Sequence, residues 1–339
     1  MDLKETIYTL CGAAGVAGDE GSAAEAAASM LSCFARVRRD RAGNVIGEIA
    51  GSGDRHILLD AHIDQIGLIV TQIGEDGFLQ FTSCGGMDRR VVMGKPVTVL
   101  GKEPVKGIVA STPPHLAAKD DKLPKLEEMT IDTGLCGQAL RALVSPGDRV
   151  VIDLAPQELL GGRLTSPALD DRSGVAAILR CLSLLKDRTL PCRVTVVFSV
   201  QEETSGTGAA VSSFALAPDE AIAVDVGHAA IPGAPEDGTG KMGGGVMIGF
   251  APTLSRPVCQ KLVELAKAEN IPYQYDVMGG RTYTNADQIA VSGAGVASGL
   301  VSIPLKYMHT SVEVVDLADV EQTARLLAAY LLAGGMQNG

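Results

Sequence analysis

The 339-residue sequence has no tryptophan, and its six tyrosines and six phenylalanines hold aromatic content at 4%. Such a chain has little with which to build stacking platforms for bases or sugars, so a carbohydrate-binding role is weakened. Long apolar runs are missing as well: none reaches the roughly 18 residues needed to span a bilayer, which argues against a membrane partner. Positive charge is scarce. Twenty-nine Lys and Arg against 40 Asp and Glu give a formal net charge of −11, and the one basic run, Arg36 to Arg41, is interrupted by Asp40. Nucleic-acid binding needs clustered cations and is not expected. The seven cysteines are odd in number, widely spaced and never in a C-x-x-C pair, so they read as reduced thiols. Residues 1–12 lack both a basic opening and a long apolar stretch, so no secretory signal is read there and the cytoplasm is the expected location.

What is present is a globular balance of 46% hydrophobic and 20% charged residues in a chain long enough for one large domain and a smaller one. Helical and extended patterns alternate over the first sixty residues: helices near Leu3 to Ala13 and Ser22 to Cys33, then extended segments at Asn44 to Ile49 and His56 to Ala61. From Gly67 to Gly162 the texture changes to short β-rich pieces broken by Gly and Pro, with one polar interruption, AAKDDKLPKLEE. Helix and strand alternation resumes at Thr165, with VTVVFSV, AIAVDV and GVASGLVSI as strands and helices near Pro257 to Asn270 and after Asp316. The expected fold is α/β: a mixed, mostly parallel sheet flanked by helices, formed by residues 1–66 and 163–339, with a small β-barrel inserted at 67–162.

Acidic and histidine side chains gather where the apolar strands end. His62 and Asp64 share one face of an extended segment, so that one can ligate a cation while the other orients it. Asp170 and Asp171 precede a helix, where a carboxylate either bridges cations or simply caps the helix. Glu202 and Glu203 stand side by side just past VTVVFSV, an arrangement that is costly without a cation nearby. Asp225 would be an unpaired charge in the core unless it is a ligand. His309 follows the last strand at the same edge. His56 and His115 lack a comparable carboxylate setting, and His228, three residues beyond Asp225, either lines the cleft or follows a turn.

These residues sit in strings that resemble a known family. DAHIDQIG, ALDDRSGVAA, VQEETSGTGA, VDVGHA and YMHTSVEVVD, in that order, look like the TET-type (glutamyl or deblocking) aminopeptidases, di-zinc exopeptidases whose members are sometimes labelled cellulase-like. The likeness covers nearly the whole chain and extends to GVAGDEG, AGNVIG, GGMDRRVVMGKPV, TPPHL and SPGD. It implies a phosphorylase/hydrolase-like catalytic domain and an insert that builds dimers and a hollow homododecamer admitting only peptides. It also implies that His62, Asp170 and Asp225 hold one metal and Asp170, Glu203 and His309 the other. Asp170 would be the bridge, joined to Asp171 by a cis peptide, with Glu202 as general base and acid and Asp64 as partner of His62. The family pattern often reads T-D-A where this chain has Thr284-Asn285-Ala286, so Thr284 and Asn285 mark a substrate pocket that has lost a negative charge.

The chemistry expected is that two divalent ions, Zn or Co with Mn also compatible with N/O ligands, lower the pKa of a shared water from about 15.7 toward 7 and polarise the scissile carbonyl. Glu202 would collect the proton and return it to the departing amine. Three rivals compete with a peptide substrate at an aminopeptidase site. A glycosidase with paired carboxylates would leave His62 and His309 unexplained. The others are a deacylase or carboxypeptidase of the same fold, and a non-catalytic oligomeric scaffold.

Overall fold

The structure, a computed structural model, describes residues 1–112, 115–116, 123–235 and 238–336. Part of the polar interruption and part of the TPPHL string lie outside the described residues. In chain order, helices α1 (Leu3–Gly12) and α2 (Gly21–Leu31) precede strands β1 (Arg36–Arg39), β2 (Val45–Ile49) and β3 (His56–His62). Strands β4 (Gly67–Ile73), β5 (Phe78–Cys84), β6 (Pro96–Leu100), β7 (Pro104–Ala110) and β8 (Thr130–Asp132) lead to helix α3 (Gly137–Leu143) and strand β9 (Arg149–Ile152). Next come β10 (Gln157–Leu159), β11 (Arg163–Ser166), α4 (Leu169–Leu184), β12 (Arg193–Ser199), α5 (Thr207–Leu216) and β13 (Glu220–His228). The chain continues with β14 (Val246–Phe250), α6 (Arg256–Ala268), β15 (Tyr273–Val277), α7 (Asn285–Ala290), β16 (Ala297–Lys306), β17 (Glu313–Asp316) and α8 (Leu317–Leu332).

Two β structures result. Strands β4-β5-β8-β7-β6-β9 close into an antiparallel barrel, its wall filled by alternate apolar side chains such as Leu68, Val70, Phe81, Val97, Val99, Ile131 and Val150. The other eleven strands form one mixed sheet, ordered β1-β2-β12-β3-β13-β16-β17-β11-β10, with β14 and β15 branching from β16. Its centre, β12-β3-β13-β16, is parallel, and its flanks are antiparallel. Strand β10 pairs with β11, so Gln157–Leu159 belongs to the large sheet and the barrel closes at Ile152.

The central strands are buried along their length because helices cover both faces, and this is why they read as near-continuous apolar runs rather than alternating ones. Helices α4 and α8 contribute Val175, Ile178, Leu179, Leu326, Leu327 and Tyr330 to the main core. Asp316 caps α8, its side chain accepting from the amide of Ala318. No helix among the described residues is long and apolar enough to cross a membrane. Parallel pairing aligns the carboxyl ends of the central strands: Ser199 stands opposite His62, and Asp225 opposite Ser302. Ligands and substrates of open α/β sheets bind at that edge.

Candidate metal centre and active site

Every candidate ligand hangs from this edge. His62 is the last residue of β3, Asp225 lies in the closing part of β13, Glu202 and Glu203 follow β12, Asp170 opens α4, and His309 lies just past β16. The carboxylate of Asp170 reaches both histidines: Oδ1 is 3.1 Å from His62 Nε2 and Oδ2 is 3.5 Å from His309 Nε2. His309 Nε2 also lies 3.2 Å from Glu203 Oε2, and His62 Nε2 lies 4.0 Å from Asp225 Oδ1. Two trios bring their ligand atoms within 4.8 Å of one another: His62, Asp170 and Glu203, and His62, Asp171 and Asp225. The Asp170–Asp171 peptide is cis. Asp171 points back toward its own helix, where Oδ1 accepts from the amide of Gly174 at 3.0 Å.

Asp64 fixes the neighbourhood twice over. Its oxygens accept from the amides of Glu202 (3.0 Å) and Glu203 (3.1 Å), and Oδ1 lies 3.5 Å from His62 Nδ1. The imidazole of His62 also places Nδ1 3.1 Å from the Asp64 carbonyl, which leaves Nε2 facing the acidic cluster.

Crowded buried carboxylates resist ionisation. Burial pushes Glu202 up to about 9 and Asp225 up to about 7, with His62 opposing both shifts. Burial also raises Glu203, and it raises Asp171 together with the charge of Asp225. The histidines answer in kind. The hydrogen bond to Glu203 lifts His309 to about 9, while His62 is pulled down by burial but raised well above its ordinary value by Asp170 and Asp64. Cations placed among these carboxylates would relieve the same crowding. Buried Glu203 Oε1 has no hydrogen-bond partner among the described residues. Nitrogen and oxygen donors with unused lone pairs, packed around one point, fit divalent transition ions.

A cleft of about 810 Å³ opens from the cluster, lined by Glu202, Asp225, His228, Asp276, Arg281, Tyr283, Thr284 and His309 among others. That volume suits a small ligand or the end of a peptide. His228 and Thr284 thus border the cleft. Asn285 does not. It is buried behind the cleft wall, where its amide donates to Asp60 Oδ1 and Ser199 Oγ, each at 2.8 Å. The expectation that Asn285 borders the substrate pocket is corrected accordingly: the residue that follows the helix cap Thr284 turns inward onto the sheet. His56 is a packed histidine, with Nε2 2.8 Å from Thr195 Oγ1.

Sequence reasoning missed several contributors. Asp276 and Tyr283 line the cleft, and Tyr283 is 86% exposed in a left-handed conformation with φ of 58°. Glu313 is buried in β17 and bonds to the backbone at both Asp170 and His309. The one signal for it was a lone acid in the apolar string VEVV.

A family model described as M42 glutamyl aminopeptidase matches residues 43–326. The chain belongs to this family. It is accordingly a peptide-bond hydrolase of a metal-dependent peptidase family. Among curated relatives, a putative aminopeptidase of Acetivibrio thermocellus is 32% identical over 334 residues, covering 96% of this chain and 97% of its own. An aminopeptidase from the archaeon Desulfurococcus kamchatkensis superposes with a TM-score of 0.92 at 33% identity, covering 98% of this chain and 94% of that one. The Pyrococcus horikoshii TET1 peptidase, described as able to assemble into a tetrahedron or a large octahedral shell, matches with a TM-score of 0.88 at 30% identity over 97% and 99% of the two chains.

Proposed function

We propose that this M42 peptidase removes the first residue of peptides with two divalent ions held by His62, Asp170, Glu203, Asp225 and His309. The observation that carries the reading is the Asp170 carboxylate, whose two oxygens face two different histidines. A carboxylate so placed suits a bridge between neighbouring cations, with His62 and Asp225 on one side and Glu203 and His309 on the other. Asp171, engaged with Gly174, suits a helix cap. Ions bound there would acidify a water and polarise the scissile carbonyl.

The protein's own groups do the rest. Glu202 moves the proton, taking it from the water and handing it to the departing amine. Its backbone is pinned by Asp64, and burial raises its proton affinity, both of which suit a group that must pick up and release a proton at a fixed point. The substrate's amino end enters a cleft in which Asp276, which the proposed ions leave free, supplies a carboxylate, while Thr284 and His228 border its path. A carboxylate there suits an exopeptidase that reads a free amine. The barrel, by likeness to tetrahedral peptidases, serves as a dimerisation surface in a cytoplasmic dodecamer.

The test compares one peptide with a free and an acetylated amino end. Cleavage of the free peptide alone, abolished by chelation and restored by Zn²⁺ or Co²⁺, is the expected result. Equal cleavage of the acetylated peptide would move the reading to a deacylase or carboxypeptidase, and sedimentation of the intact protein measures the assembly.

A further inference from the structure

Glu313 stands out among the buried acids because it joins two segments that are far apart in sequence. Only 1% exposed, it opens β17, a strand held between β16 and β11, where it pairs in register with Ser166. Its Oε2 accepts from the amide of Asp170 at 3.1 Å and its Oε1 from the amide of His309 at 3.0 Å. A backbone amide that donates to a carboxyl oxygen in a dry interior has no water to turn to if that oxygen is lost. His309 has φ of 60°, a left-handed conformation that persists only where its surroundings over-determine it. The amide that Glu313 grips belongs to that strained residue.

We propose that Glu313 is a positioning residue that sets Asp170 and His309 at the spacing one metal ion requires, by fixing their backbones rather than their side chains. The proposal rests on the two-ion reading given above. Asp64 supplies a precedent within the molecule, since it grips the amides of Glu202 and Glu203 in the same two-handed way. Asp64 thus ties down Glu203 beside Glu202, and Glu313 ties down Asp170 and His309. Glu313→Gln keeps the size of the side chain but replaces one acceptor with an amide NH₂, so one of the two backbone amides meets a donor and is released.

The experiment titrates metal-free, full-length protein with Co²⁺, following the visible absorption of the bound ion, and measures kcat, KM and melting temperature in parallel. The wild type is expected to take up two ions per chain. Glu313→Gln is expected to hold the second ion about 10- to 100-fold more weakly, with kcat reduced and KM little changed, while its metal-free melting temperature stays close to that of the metal-free wild type. Glu220→Gln is the control. Glu220 is equally buried and accepts from the Tyr330 hydroxyl and the Met336 amide at the amino-terminal end of β13, away from the ligands. That variant should lose stability and keep both ions. Two ions bound by Glu313→Gln with wild-type affinity would overturn the role of Glu313 while leaving the two-ion reading intact, as would an equal loss in Glu220→Gln. A wild type that binds no Co²⁺ would overturn both. Glu313→Ala, which removes both acceptors, should weaken the ion further; if it does not fold, the Gln variant decides alone.

Discussion

Between Gly67 and Ile152 the barrel buries Leu68, Phe81, Val97, Ile131 and Val150 and, among its described residues, one polar side chain, Thr98. The sheet instead buries Asp60, His62, Asp64, Asp225 and Glu313 along or near one edge. Burying a charge is costly unless something compensates it. A barrel that avoids this cost can be stable and inert, while a sheet that concentrates it at its carboxyl edge becomes selective for whatever neutralises it. The contrast separates a part of the chain suited to shape and assembly from a part suited to chemistry.

The largest expected effect lies wholly on the sheet side. Glu202→Gln should retain metal, measured by elemental analysis, and lose roughly 10² to 10⁴ in kcat; wild-type turnover would remove Glu202 from the mechanism. A substitution on the barrel side probes whether the division is complete. Gly86, in the loop after β5, lies so close to His309 that a Cβ there would stand 2.8 Å from Nδ1 of the ring. Gly86→Ala should therefore displace a ligand from outside its own sheet and lower kcat by up to about 100-fold with little change in melting temperature. Full activity would show that the ring yields without cost.

The smallest effect sharpens the rule that buried charge needs a partner. Asn285→Asp places a second carboxylate on Asp60, which burial already pushes up to about 6. The Asn285 donor is lost and two acids must share a proton. Their folded pKa rises above the unfolded value, so the variant should match the wild type best in acid and fall behind as pH climbs from 5 to 8. A deficit of about 1–3 kcal/mol is expected at the upper end, read from denaturant melts at several pH values. A pH-independent difference would mean that the new carboxylate finds another partner.

The residues of the proposed centre stood out in the sequence because strands that end in acids or histidines carry a physical contradiction on their face. His62, Asp225, the Glu202–Glu203 pair and His309 all stood out in this way, and the structure brings them together at one sheet edge. The barrel was legible from the change of texture at Gly67, although the strand Gln157–Leu159, as β-rich as its predecessors, belongs to the sheet. What could not be read were roles set by approach between distant segments. Asn285 looked like a pocket residue because it adjoins Thr284, but the turn of α7 aims it at Asp60 and Ser199. Glu313 and Gly86 acquire their importance only once β17 and the barrel loop come to rest beside Asp170 and His309. Which oxygen of Asp170 or Asp171 faces a histidine likewise depends on the backbone geometry at the start of α4, where neither residue is helical.

The register that sets Ser199 opposite His62 and Asp225 opposite Ser302 also dictates when the centre can exist. Its residues run from position 62 to position 309, so none of them meets its neighbours until β12, β3, β13 and β16 have all been laid side by side, and such non-local pairings are slow to form. A nascent or partly opened chain has scattered acids and nothing that grips an ion. Divalent ions held as proposed above would bind the folded chain far better than the open one, and by mass action would deepen its well by an amount that grows with their concentration. On the two-ion reading, the ions that serve the chemistry would also mark the chain whose folding is complete.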